Sequence, residues 1–235
     1  MTGTNTGGNA LCMAATPAPR KRGRPRIGQG LDDAHLLKGA LDAFAEKGYD
    51  GMSLRELGRR LEVSHALLTA RYGSKESLWF AALEYALGHA AQGWRQTVED
   101  PALDDLQALR LGIVHQIVFA ASFPQVVRIL NHEGGVDSDR IRFVVDRFVK
   151  PLRPLVEVRL NRLQDAGRIR PLPYEVLHFM VVHGPGALFA NTVESDLLGA
   201  HPPAGDHAVW RHAEAVADAI IFGLATPPAA GTTPK

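Results

Sequence analysis

The sequence predicts an all-α protein, and three observations carry that prediction. From Leu31 onward apolar residues recur at the i, i+3, i+4, i+7 spacing of an amphipathic helix, and alternating β-branched runs are scarce. Serine or aspartate stands before several of these stretches and glycine after them, where helices start and stop. The 46% apolar content of this 235-residue chain is enough to bury a substantial core, and the length exceeds one average domain.

The elements follow in order. Residues 1–19 are mainly Thr, Gly, Asn, Ala and Pro without periodicity, a composition that predicts disorder. The run RKRGRPR, Arg20 to Arg26, follows as a basic arm in which five of seven residues are cationic. A first helix carries Leu37, Ala40, Leu41 and Phe44 on one face, with Asp32 or Asp33 as its cap and Gly48 as its stop. Ser53 and Glu56, three apart, predict a reciprocal capping box on a second helix running to about Leu61. Ser64 caps a third, short helix ending near Tyr72, and Ser74 with Glu76 opens a fourth from Lys75 to about Trp94. Beyond Pro101 the pattern predicts helices over 102–121, 124–133, 139–166, 173–197 and 206–224. Pro151 and Pro154 should kink the third of these, and Pro173 suits the first turn of the fourth.

The predicted organisation is a leader with its basic arm over 1–30, a domain of short helices over 31–80, a larger helical domain over 81–225, and a tail over 226–235. Charge is uneven although the net value is only +1: residues 1–85 hold 12 Lys and Arg against 9 Asp and Glu, the remainder 14 against 16. The single cysteine, Cys12, excludes an internal disulfide and a cysteine-built zinc site. The longest mostly apolar run, LGIVHQIVFAASF, is 13 residues with His115 and Gln116 inside, too short and polar to span a bilayer. A soluble protein of the cytoplasm is expected, without a membrane partner.

Two short helices joined by a tight turn are the arrangement that brings a helix into the major groove. Leu54, Leu57, Leu61, Val63, Leu67 and Leu68 supply the inner face, which leaves His65, Ala66, Thr69, Ala70 and Arg71 on the outer one. Arg71 can read a guanine edge or neutralise a phosphate, and His65 and Thr69 can hydrogen-bond to either. Lys75 and the amides opening the fourth helix form a second phosphate site. Ser53, Arg55 and Ser64, at the entries of the two helices, complete the expected DNA-facing set. Arg22, Arg24 and Arg26 suit a narrow A·T-rich minor groove, or else serve as a solvated tail that adds only salt-sensitive affinity.

The stretch ALDAFAEKGYDGMSLRELGRRLEVSHALLTARYGSKESLWFAALE, preceded by GRPR, resembles the amino-terminal domain of the TetR family of bacterial transcriptional regulators over about 50 residues. DAGRIRPLPYEVL, Asp165 to Leu177, resembles the junction between the seventh and eighth helices of members of that family. The resemblance implies a homodimer that binds a palindromic operator, a small effector bound by the carboxy-terminal domain, and release of DNA by that effector. It also implies that Tyr72 lies near phosphate. Two positions depart from the family pattern: Thr69 stands where a phosphate-contacting tyrosine is frequent, and Glu62 where the turn usually has glycine. A left-handed backbone at Glu62 would cost on the order of 1 kcal/mol against glycine.

Other candidates fail on spacing. His132 and Glu133 lack the second histidine of a zinc-protease motif, HGPG at His183 to Gly186 has no nucleophile elbow to serve, and GPGALF does not complete a dinucleotide fingerprint. No cofactor, metal site or enzyme activity is expected. Trp94, His115, Phe119, Phe123, Phe148, His178 and Phe189 sit on helices around one centre and are candidates to line a ligand pocket. Core packing is the alternative for each, and the resemblance implies a cavity among them. The last two helices carry broad apolar faces, including Val176, Phe179, Val182, Leu188, Val209, Val216, Ile220 and Ile221, suited to a twofold interface or to burial within the monomer. Ala213 and Ala217, four apart, would permit close helix approach. The expected function is a ligand-responsive repressor released by a small apolar effector; the alternative is a helical binding protein or enzyme without operator specificity.

Overall fold

A computed structural model describes residues 33–226. The predicted leader, its basic arm with Arg22, Arg24 and Arg26, the candidate cap Asp32 and nearly all of the predicted tail lie outside those residues.

Helix α1 (Asp33–Lys47) buries Leu37, Ala40, Leu41 and Phe44 on one stripe, and Gly48 ends it at φ +70. In α2 (Leu54–Arg60) Ser53 Oγ accepts from the Glu56 amide at 3.2 Å. The predicted box is only half formed, because the Glu56 carboxylate turns to Lys47 of α1. Helices α3 (His65–Tyr72) and α4 (Lys75–Glu99) are capped by Ser64 and Ser74, whose hydroxyls accept from amides three residues on. Helix α4 continues five residues past Trp94, burying Leu78, Trp79, Ala82, Leu83 and Ala86.

Helix α5 (Asp105–Ser122) opens with a complete capping box between Asp104 and Gln107 and is apolar on nearly every side. It runs through the carboxy-terminal half against α4 and, later in the chain, α8 (Arg153–Asp165) and α12 (Asp206–Leu224). The chain turns by 96° into α6 (Pro124–Glu133), which returns to pack on α1.

The region expected as one kinked helix is α7 (Asp139–Val144), a π turn over Val145–Val149, and α8. Lys150 N donates to Val145 O, five residues back, at 2.9 Å, and Pro151 has no amide with which to resume the α ladder. The expected helix over 173–197 is broken into α9 (Tyr174–His183), α10 (Ala187–Ala190) and α11 (Thr192–Leu197). Pro185 interrupts the ladder, and the chain there runs against α5 so closely that a Cβ on Gly186 would lie 2.6 Å from that of Ala120. Pro173 stands at the cap of α9, one place before the first turn. The segment after α8 pairs with the end of α12, Arg170 N donating to Leu224 O at 2.9 Å and Thr226 N to Arg168 O at 3.1 Å.

Two large clusters form the core. One joins α1–α4 with Val126 and Ile129 of α6 and with Val144 and Phe148, so the core of the amino-terminal helices continues into the carboxy-terminal half. The other is built on α5, α8, α9 and α12. Ala213 and Ala217 are fully buried in it, so the close approach they permit is to α5 within the monomer. Among the described residues no single helix is long and apolar enough to cross a membrane.

The backbone at Glu62 is left-handed, φ 55, and it is the one non-glycine residue in that region among those described. Glu62→Gly should raise stability by about 1 kcal/mol, seen as a higher urea midpoint with an unchanged slope.

Candidate DNA-recognition surface and effector cavity

The turn between α2 and α3 is compact because Gly58 lets two backbones meet. A Cβ there would stand 2.9 Å from Val63 O and 3.3 Å from His65 N, and Val63 N donates to Gly58 O at 2.8 Å. Leu57, Leu61, Val63 and Leu68 are buried beneath the turn, while His65, Ala66, Thr69, Ala70 and Arg71 are exposed on the outer face of α3. Arg55 is exposed on α2, and Ser53 and Ser64 are exposed with their hydroxyls engaged in capping.

Three expected phosphate or base contacts are engaged within the protein. Arg71 pairs with Asp33 Oδ1 at 2.7 Å, and the Tyr72 hydroxyl donates to the same oxygen at 3.1 Å. Burial, then the Asp33 hydrogen bond, pushes the Tyr72 phenol up to about 12. Lys75 turns back, its Nζ donating to Tyr49 O at 3.0 Å and standing 4.0 Å from the Tyr49 ring centroid. The Arg140 guanidinium lies at the same 4.0 Å from that ring, so two cations flank one aromatic side chain.

Arg140 is held in turn by Glu133. Its Nε donates to Glu133 Oε2 at 2.9 Å, the Ser138 hydroxyl donates to the same oxygen at 3.3 Å, and Glu133 is 4% exposed. Asp33, Tyr49, Glu133 and Arg140 were not among the sequence-derived candidates. The only sequence signal for the last two was a carboxylate closing a helix before Gly134 and Gly135, with an arginine seven residues on.

On the other side of α6 lies a cavity of about 500 Å³, walled by α4, α5, α6, α7, the π turn and α9. Trp94, Phe119, Phe148 and His178 line it, as expected. Trp94 lies directly on Gly112 of α5, where a Cβ would come within 2.7 Å of the indole. Three other candidates lie elsewhere. His115 Nδ1 is bonded to Thr97 Oγ1 at 2.9 Å and its ring meets Trp210; Phe123 stacks on Phe119 and meets Tyr85; Phe189 is buried in the core against His212. Helix α5 is apolar on nearly every side, so periodicity could not tell its cavity side from its core side. Gln116, Asn131 and His183 supply polar groups to the cavity that sequence reasoning missed.

A helix-turn-helix surface on an all-helical body with an apolar cavity is the arrangement of a DNA-binding transcription regulator. Residues 36–82 match the family described as bacterial regulatory proteins, tetR family. It is similar to the transcriptional repressor AcnR of Corynebacterium glutamicum, 29% identical over 157 residues, 61% of this chain and 72% of that protein. It is also similar to the transcriptional repressor Rv3405c of Mycobacterium tuberculosis, 34% identical over 73 residues, 31% of this chain and 38% of that one. Among solved structures, the ketosteroid transcriptional regulator KstR2 of Mycobacterium tuberculosis shares the fold with a TM-score of 0.66 at 17% identity, over 86% of this chain and all of that one. AibR, solved with isovaleryl coenzyme A and operator DNA, does so with a TM-score of 0.61 at 19% identity, over 80% of this chain and 97% of that one.

Two outcomes follow from the charges inside. Arg140→Met leaves the Glu133 carboxylate buried without its cation and should destabilise the protein by about 3–5 kcal/mol, whereas Glu133→Leu with Arg140→Met should recover most of the loss in chemical denaturation. Burial lowers the pKa of His115, His178 and His183, so the unfolded chain binds more protons than the native one as these groups titrate. Their contribution to stability is full above the ordinary histidine value of about 6.5 and is lost as pH falls below it. The melting temperature should drop on acidification, and His115→Gln should flatten that drop.

Proposed function

We propose that this chain is a repressor that binds a palindromic operator as a homodimer and is released by a small apolar effector held in the cavity. The observation that carries the reading is the position of α6, which lines the cavity with Leu130 and Asn131 and packs on α1 of the helix-turn-helix domain. A ligand that spreads this wall shifts Glu133 and Arg140, and through Tyr49 it shifts the start of α4 at Lys75. The two recognition helices of a dimer then no longer fit successive major grooves.

On DNA, His65, Thr69 and Arg71 reach base edges or phosphate, with Ala66 and Ala70 allowing close approach. Ser53, Arg55, Ser64, Tyr72 and Lys75 lie along the backbone, and the arm with Arg22, Arg24 and Arg26 adds salt-sensitive affinity. Arg71 exchanges Asp33 for DNA, a swap that needs only a side-chain rotation. A second copy covers the exposed apolar side chains of the last helices, of which Val176 is 49%, Phe179 63% and Phe222 84% exposed. Val209, Val216, Ile220 and Ile221 are only partly exposed and pack against the monomer core, so they sit at the margin of such an interface.

The test is selection of bound sequences from a random duplex library at near-physiological salt. A palindrome should be enriched, and Arg71→Ala should lose about 1–3 kcal/mol of discrimination at the positions it reads. A folded protein that enriches nothing would favour the binding-protein alternative.

A further inference from the structure

The cavity has a chemical character more specific than apolar. No Lys, Arg, Asp or Glu stands among the described residues that line it. A buried carboxylate, phosphate or ammonium would find no counter-charge there and would leave its hydration uncompensated. The polar lining is Gln116, Asn131, Tyr174, His178 and His183, three of them on the single helix α9.

Each imidazole already spends its Nδ1 on a neighbouring side chain, which leaves Nε2 for a ligand. His183 Nδ1 lies 2.6 Å from Asn131 Oδ1, and a carbonyl oxygen can only accept, so the proton is on Nδ1 and Nε2 is an acceptor. The Tyr174 hydroxyl lies 3.4 Å from His178 Nδ1; with the phenol donating, His178 keeps its proton on Nε2 as a donor. The two rings stand edge to face, 6.5 Å apart. Burial lowers the pKa of both imidazoles, which favours their neutral forms.

An acceptor beside a donor is the complement of a hydroxyl group. We propose that the effector is an uncharged lipophile with one hydroxyl, which donates to His183 and accepts from His178 at the α9 end of the cavity while its apolar body lies against Trp94, Phe119 and Phe148. This rests on the reading of the cavity as the effector site. It sets this chain apart from an acyl-coenzyme A sensor, whose ligand carries several charges.

The test holds the apolar body constant and varies the head group. Full-length protein is titrated by calorimetry with dodecanol, dodecyl methyl ether, dodecanoate, dodecyltrimethylammonium and dodecanoyl-coenzyme A, each below its micellar concentration. Dodecanol should bind roughly tenfold or more tightly than each of the others, and His183→Leu should erase its advantage over the ether, which cannot donate. Should that variant fail to fold, the ranking on the unaltered protein still decides. Dodecanoate or the coenzyme A ester binding as tightly as dodecanol would overturn the inference. If such a charged ligand also released the selected operator, the effector reading would survive and only its chemistry would fall. Binding of none of the five would overturn both.

Discussion

The pairing of Glu133 with Arg140 is the constraint on which the relation between the two halves depends. A carboxylate at the last residue of α6 faces unpaired carbonyl groups and the negative end of the helix dipole, and here it is also buried. It is tolerable only with a cation against it. Arg140 supplies that cation from α7 and places its guanidinium over the ring of Tyr49, which follows α1. One buried charge therefore draws α6, α7, the end of α1 and the start of α4 to a single point. The apolar cluster that runs from α1 into α6 and the π turn closes around the same point.

The cations around α3 are held in a paired state. Arg71 and Tyr72 share Asp33, and Lys75 rests on Tyr49, so the free protein shows fewer uncommitted cations on this face than its sequence suggests. These are exposed or half-exposed contacts, worth little in water and readily exchanged for phosphate. In the proposed mode of DNA binding they would hold these side chains near the phosphates, which reduces the entropy lost on binding.

How much could be read from the sequence depended on whether the signal was local. Ser53, Ser64 and Ser74 marked helix starts, Gly48 marked a stop, and Glu62 was suspect from its place in the turn; all are backbone chemistry settled within a few residues. The outer face of α3 was legible because its inner face is plainly apolar. The break of the expected long helix at Gly184–Gly186 was hidden by apolar residues that continue on both sides of it. The cavity was half legible: Trp94, Phe119, Phe148 and His178 fell on it, while His115, Phe123 and Phe189 did not, since an aromatic ring satisfies a core as well as a pocket. The charged residues that join the halves come from segments far apart in the chain, and no periodicity relates Tyr49 to Arg140 or Asp33 to Arg71.

The π turn at Val145–Val149 gives the wall of the cavity a property that side chains alone do not confer. Val145, Phe148 and Val149 all face the cavity from this one wide turn. A π turn amounts to one residue added to an α-helix, and it can migrate along a helix by exchanging one hydrogen bond for its neighbour. The inner surface of such a wall changes in whole-residue steps, each presenting a different set of side chains with no change in composition.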